Sequence, residues 1–168
     1  MAFIISGQTF ISFADYDDVV NRDQRIFEQN EVLTEQIVED MLIRASERIL
    51  TRIKASDWWQ EYQFKRDITL KNDVRLLPNV NGMKIEARKN DFTDLCVYQA
   101  LAEYILPKIA DFSDENSSER QKILYYTDKS NALFTELIEA GDWYDFDDDG
   151  SVETGEKMPS RVNLVRIR

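Results

Sequence analysis

The sequence predicts a mainly α-helical protein: a small antiparallel helical bundle with an inserted β-hairpin and an extended C-terminal arm. Three long segments repeat apolar residues at intervals of three and four, which is the helical period. One segment between the first two alternates with a period of two, which is typical of strands. The 168 residues are enough for one domain with a core of its own.

Four predicted parts follow one another along the chain. Residues 1–32 form an N-terminal arm with a short helix, residues 33–141 the bundle, residues 142–158 an acidic loop and residues 159–168 a C-terminal docking arm. The β-branched and aromatic start of the chain favours a short strand or an apolar arm.

The first long helix is predicted over residues 34–54. Thr34 is a suitable N-cap, and Leu33 and Val38 are spaced as a hydrophobic staple. One face of this helix is apolar, which indicates an amphipathic element packed on a core. The residues of that face are Ile37, Val38, Met41, Leu42, Ala45, Ile49 and Ile53.

Two adjacent tryptophans, Trp58 and Trp59, follow the first helix. Successive residues of a helix point in different directions, so both rings cannot face the same core from a helix. We therefore expect one ring to meet another chain or a loop, and both tryptophans are candidate partner-binding residues.

The predicted hairpin occupies residues 62–87. Apolar residues alternate there with polar ones, and Pro78 and the Asn81-Gly82 pair supply turn chemistry between the alternating runs. This pattern favours a small antiparallel insertion in the bundle.

The second and third long helices come after the hairpin. Asp91 is a suitable cap for the second, and Pro107 is expected to end or bend it near Leu106. The third follows the polar run SDENSSE and ends at Gly141, a natural residue for a helix C-terminus.

An acidic segment matches a calcium-loop pattern. Residues 145–156 read DFDDDGSVETGE, which fits D-x-D-x-D-G-x5-E at every specified position. Calcium binds about six to eight oxygens, and Gly150 permits the sharp turn that such loops need. The predicted metal ligands are Asp145, Asp147, Asp149, Ser151 through its backbone carbonyl, Glu153 through water, and Glu156.

The loop is not a complete EF-hand. Lys157, Met158 and Pro159 follow Glu156, so no exiting helix is expected and an opening sensor is excluded. A bound Ca²⁺ would have a structural role, and no cofactor is required. The alternative is a solvated acidic linker that binds no metal.

The C-terminal arm combines apolar and cationic residues. Such a segment favours extended pairing with the sheet edge of another chain, where its arginines meet carboxylates. The alternative is a last edge strand of the chain's own sheet. The predicted partner-binding residues of the arm are Arg161, Val162, Leu164, Val165, Arg166, Ile167 and Arg168.

The composition of the chain argues against several kinds of chemistry and binding. The chain has no histidine, which removes the commonest general base and transition-metal ligand. Cys96 is the only cysteine, so no internal disulfide forms. The net charge of −11 opposes binding to phosphates and anionic lipids, and no apolar run is long enough to cross a membrane. We expect a soluble interaction protein that is not an enzyme and has no catalytic residues.

The order of these features resembles the small head-tail connector, or adaptor, proteins of tailed bacteriophages. The resemblance covers residues 33–141: the helix TEQIVEDMLIRASERILTRI, the run DWW, a hairpin, a second helix that opens with DFTDLCVYQALAEYIL, and a third helix. An extended tail follows. The resemblance rests on this order of elements, and the calcium-like loop is not part of it.

The resemblance implies a structural virion protein that assembles in the host cytoplasm. It implies a homo-oligomeric ring, typically of twelve copies, between the portal protein and a tail or neck protein, with the C-terminal arm reaching the portal. DNA would pass through the channel without specific binding, because acidic side chains repel phosphates. The alternative function is a soluble calcium-binding interaction module unrelated to virions.

Overall fold

The part of the chain that the structure describes is mainly helical and contains a small antiparallel β-hairpin, which confirms the predicted fold class. The structure is a computed structural model that describes residues 3–7, 9–30, 33–110 and 117–157. The predicted C-terminal arm lies outside the described residues.

Two compact units make up the chain. Unit 1 consists of Met1–Ile49 and Arg88–Phe134, and unit 2 consists of Leu50–Ala87 and Thr135–Arg168. The predicted bundle at 33–141 therefore contributes residues to both units. No helix in the described part of the chain is long and apolar enough to span a membrane.

Unit 1 begins with the β-hairpin. β1 (Ile4–Ser6) pairs antiparallel with β2 (Thr9–Ser12), and Gly7 between them has a φ of +64°, a conformation that favours glycine. The rings of Phe3 and Phe13, which flank the strands, pack edge to face with centroids 5.0 Å apart. The start of the chain is thus a pair of short strands.

Two short helices follow the hairpin, α1 (Tyr16–Arg22) and α2 (Gln24–Gln29), where the sequence predicts one. A capping box starts α1: the Asp15 carboxylate accepts a hydrogen bond from the Asp18 N–H at 3.0 Å, and the Asp18 carboxylate accepts one from the Asp15 N–H at 3.2 Å. Asp23 separates the two helices.

The first long helix, α3 (Glu35–Ala55), lies where the sequence predicts it. The N–H of Val38 donates to the carbonyl of Thr34 at 3.1 Å, so the helix starts after the predicted cap. Its buried face repeats at three- and four-residue intervals and consists of Val38, Leu42, Ala45, Ile49 and Ile53.

The hairpin predicted at residues 62–87 is wrong in its position. Helix α4 (Asp57–Arg66) runs into this region, and short 3₁₀ turns occupy Ile68–Asn72, Val74–Leu76 and Gly82–Lys84. Short polar side chains just before each turn accept a hydrogen bond from a backbone N–H two residues ahead, which offers the backbone an alternative to a strand ladder. These capping residues are Asp67, Asp73 and Asn81.

The second long helix starts earlier than predicted and continues past Pro107. α5 (Lys89–Ala100) has Asp91 in its first turn, not at its cap. A π-helical turn (Leu101–Ile105) and α6 (Leu106–Ile109) extend it. Pro107 is tolerated because it lies in the first turn of α6, directly after the π turn, and the helix ends at Ile109, three residues after the end predicted near Leu106.

The third long helix, α7 (Ser118–Ala140), ends as predicted. Gly141 follows it with a φ of +55°, and its N–H donates to the carbonyl of Leu137 at 3.1 Å. This left-handed residue terminates the helix and directs the chain into the acidic loop.

Candidate metal centre

An aromatic cluster in unit 2 positions the acidic loop. Trp58 and Trp59 lie in the first turn of α4 and are only 3% and 2% exposed, so the expectation that both rings cannot face one core is wrong. Of the two contacts predicted for a ring, another chain or a loop, the structure shows the loop. Residues 143–146 pack on both rings. The Trp58 ring lies 4.6 Å from that of Trp143, and the Trp59 ring lies 5.2 Å from that of Tyr144.

Residues 143–146 are tied to their surroundings by hydrogen bonds as well as by ring packing. The indole N–H of the fully buried Trp143 donates to the carbonyl of Leu137 at 2.7 Å. The backbone N–H of Asp145 donates to the carbonyl of Lys84 at 2.8 Å. Because these bonds fix the backbone on both sides of Tyr144, the start of the loop has a defined position.

Phe146 continues the cluster at the start of the calcium-like segment. Its ring stacks on that of Tyr62, with centroids 3.6 Å apart, and it also lies 4.8 Å from the ring of Tyr144. Aromatic contacts of this kind hold neighbouring backbone in place. The first residues of the segment 145–156 are therefore fixed on α4.

Three of the predicted metal ligands come together. Asp145, Asp147 and Asp149 each offer a carboxylate oxygen, and these oxygens lie within 4.8 Å of one another. Asp145 is buried, whereas Asp147 and Asp149 are exposed. Alternate residues at the start of the segment thus direct three carboxylates toward one point.

The backbone of the loop folds around the Asp145 carboxylate. One of its oxygens accepts a hydrogen bond from the N–H of Asp148 at 2.6 Å, and the other accepts one from the N–H of Gly150 at 2.8 Å. Gly150 has a φ of +88°, which supports the role in the sharp turn that the sequence predicts for it.

Glu156 closes the loop. One of its carboxylate oxygens accepts hydrogen bonds from the N–H groups of Phe146 at 2.6 Å and Asp147 at 3.1 Å, and the other accepts one from Glu153 at 3.0 Å. Glu156, the ligand predicted at the twelfth position of the loop, therefore lies against the loop backbone and outside the cluster of three aspartates. Ser151 donates its hydroxyl and its N–H to the Asp149 carboxylate, both at 2.9 Å.

The loop shifts the acidity of its carboxyl groups in opposite directions. Burial opposes ionisation of Asp145, but hydrogen bonds from Gly150 and Asp148 outweigh it and lower the pKa of this carboxyl group. Loss of solvent and the carboxylates of Asp149 and Glu156 raise the pKa of Asp147. A cation between these groups would relieve that repulsion.

The three-aspartate cluster fits a hard divalent cation such as Ca²⁺. Oxygens that bind one calcium ion at about 2.3–2.6 Å are at most about 5 Å apart, which is compatible with the observed spacing. Asp145, Asp147 and Asp149 would hold the ion, and the ion would neutralise part of the negative charge of the loop.

The aromatic cluster is the feature that sequence reasoning missed. Its signal is the run GDWYDF directly after the third helix, which brings three aromatic residues to the start of the acidic loop. These rings follow no helical or strand period, so a periodicity argument passes over them. The predicted partner-binding residues at 161–168 lie outside the described residues.

Comparison with known proteins gives no relative. No family model, no curated protein and no solved structure matches the chain.

Proposed function

We propose that the protein is a non-catalytic structural protein of a phage virion, which forms a ring between the portal and a tail or neck protein. The observation that carries the proposal is the order of the long helices. The amphipathic α3 leads into α4 with its tryptophan pair, and α5 and α7 follow. This is the order of helices in the head-tail connectors that the sequence resembles, although 3₁₀ turns stand where a hairpin is expected.

The chemistry of unit 1 favours a structural role over a catalytic one. The Cys96 thiol is fully buried, and burial raises its pKa to about 12, so it is a poor nucleophile. The Ser46 hydroxyl lies 3.3 Å from the Cys96 sulfur and accepts a hydrogen bond from the N–H of Phe13 at 3.1 Å. The side chains of Cys96 and Ser46 therefore contribute to the packing and hydrogen bonding of the core of unit 1.

The charge of the protein suits a channel for DNA. The net charge is −11, and the acidic side chains of residues 147–149 are exposed. A channel lined with carboxylates repels the phosphate backbone and lets a duplex pass without binding to it. The proposal therefore includes a ring through which DNA passes.

The C-terminal arm is proposed to bind the portal protein. Deletion of residues 160–168 should leave the remaining chain folded and abolish capture by purified portal protein in a pull-down. A full-length variant with Tyr125→Ser, which changes an exposed ring on α7, is the matched control and should bind as the wild type does. If portal protein captures the deletion variant as well as it captures the wild type, the arm does not bind the portal protein.

A second candidate function is a calcium-binding interaction module. The observation that favours it is the group of three aspartate oxygens within 4.8 Å of one another. A ligand that binds only the folded state stabilises it by about 2.7 kcal/mol at a concentration one hundred times its dissociation constant. Calcium chloride should therefore raise the melting temperature, and a chelator should reverse the rise.

Matched variants test whether the acidic loop is responsible. Asp147→Asn with Asp149→Asn should abolish the calcium-dependent rise in melting temperature. Asp40→Asn with Asp128→Asn removes the same charge from exposed positions on α3 and α7 and should keep the rise. A wild type whose melting temperature does not respond to millimolar calcium would make the loop a linker without a metal.

A further inference from the structure

A groove beside α4 combines apolar and basic side chains. It has a volume of about 420 Å³ and is lined by Glu61, Phe64, Lys65, Ile68 and Lys71; we call it the basic groove. Ile68 in this lining is 63% exposed. A large apolar side chain exposed in a groove beside basic ones is typical of an interaction site.

The charge around the groove has the opposite sign to that of the protein. The lining of the groove contains two basic side chains and one acidic side chain and therefore carries +1, whereas the rest of the chain carries −12. Residues 142–156 of the acidic loop carry −7 and contain no Lys or Arg. Within the loop, Asp147, Asp148, Asp149 and Glu153 are exposed.

The groove and the acidic loop use different sides of α4. Tyr62 and Arg66 line a surface depression together with Phe146 and Asp147, on the side of the acidic loop. Glu61 and Lys65 line the basic groove. Neighbouring residues on a helix point about 100° apart, so the side of α4 that holds the molecule's own loop is not the side that forms its groove.

We propose that the basic groove binds the acidic loop of a second copy of this chain. Lys65 and Lys71 would meet the exposed carboxylates of that loop, while Phe64 and Ile68 supply apolar area that loses contact with water. This inference rests on the proposed ring and names the surfaces that join its subunits.

Such a contact joins two different surfaces and is therefore heterologous. Each copy that uses its groove still offers its loop, and each copy that uses its loop still offers its groove. Contacts of this kind close into a ring when the rotation between copies allows it, and otherwise continue as a filament. A groove-to-loop contact thus produces the kind of assembly that the proposed function needs.

Complementation between two variants tests the contact. The groove variant carries Lys65→Glu and Lys71→Glu, and the loop variant carries Asp147→Lys and Glu153→Lys. All four side chains are exposed, so both variants should fold, which circular dichroism checks. Sedimentation velocity in the presence of a chelator, which keeps the metal state of the loop constant, should show oligomers for the wild type and monomers for each variant alone.

Mixing the variants gives the decisive result. An equimolar mixture of the two retains one intact pairing: the wild-type groove of the loop variant can bind the wild-type loop of the groove variant. The mixture should therefore form heterodimers, which neither variant forms alone.

The control variant carries Leu124→Ser and Tyr125→Ser, which remove exposed apolar side chains from α7. It should assemble as the wild type does. Oligomers of the groove variant like those of the wild type would overturn the inference and leave the ring itself in place. A wild type that stays monomeric at every concentration would also overturn it, and capture by the portal protein would then decide separately whether the proposed function stands.

Discussion

The two units hold their cores together in different ways. In unit 1, the Ser46 hydroxyl on α3 lies 3.2 Å from that of Ser12 and 3.3 Å from the Cys96 sulfur on α5, so a buried polar network joins the end of the hairpin to two helices. In unit 2, six aromatic rings pack on one another, and half of them come from non-helical backbone. These rings are Trp58, Trp59, Tyr62, Trp143, Tyr144 and Phe146.

The two units are therefore expected to be sensitive at different places. The core of unit 1 combines its polar network with phenylalanine rings from the hairpin region and α5. The core of unit 2 depends on residues 143–146, which also start the acidic loop. Anything that displaces the loop should therefore disturb unit 2 and its tryptophans first.

The largest expected effect is in unit 2. Trp143→Ala removes a fully buried ring that packs on Trp58, and it should lower the free energy of unfolding by about 3–5 kcal/mol. Urea denaturation followed by far-UV circular dichroism measures it. Tyr125→Ala, which truncates a 55% exposed ring in unit 1, should change the free energy by less than about 0.5 kcal/mol. Equal effects for the two variants would contradict the role of the aromatic cluster.

A smaller loss is expected in the polar network of unit 1. Ser46→Ala leaves the buried N–H of Phe13 without its acceptor and should cost about 1–3 kcal/mol of unfolding free energy. Thr127→Ala is the matched control, because this exposed hydroxyl donates only to the Ile123 carbonyl of its own helix. If urea denaturation gives the same midpoint for Ser46→Ala and the wild type, the network does not stabilise unit 1.

Loss of the cap on α1 should have a still smaller effect. Asp15→Ala removes the acceptor for the N–H of Asp18 and should cost about 1 kcal/mol. Asp17→Ala changes an exposed carboxylate in the same turn. It should lower the free energy of unfolding by only about 0.3 kcal/mol, through the loss of its interaction with the helix dipole. The ranking is measured by the urea midpoints of the two variants, and a reversed ranking would exclude the capping box as the stabilising feature.

The smallest effect is a dependence on alkaline pH. Burial raises the pKa of the Cys96 thiol from an ordinary value of 9.0 to about 12, so the unfolded chain loses this proton first. The corresponding stability is complete well below pH 9, begins to fall as the pH approaches 9 and is lost as the pH rises toward 12. Between pH 8 and 9 the loss should be on the order of a few tenths of a kcal/mol. A Cys96→Ala variant should lose less over the same interval, and an equal loss would assign the effect to other groups.

Much of the helical framework could be predicted because its signals are local. The spacing of Leu42, Ala45 and Ile49 fixes the buried face of α3, and Gly141 marks the end of α7. The three aspartates of the metal centre could also be predicted, since their pattern lies within five consecutive residues. Short-range patterns carry this information without knowledge of the fold.

The predictions that were wrong concern features that depend on residues distant in sequence or on turn residues that fit more than one structure. Both rings of the Trp58-Trp59 pair are buried because residues 143–146 pack on them, and no local pattern contains that contact. The misplaced hairpin has another cause. Asn81 and Gly82 are typical of hairpin turns, but an asparagine can equally cap a 3₁₀ turn, as Asn81 does here.

Electron microscopy of the purified full-length chain, alone and with portal protein, tests whether this chain is a ring-forming subunit. We expect closed annuli with a central channel, of about twelve copies as in the head-tail connectors that the sequence resembles. Separate monomers under both conditions, with no density for the chain on the portal, would contradict it.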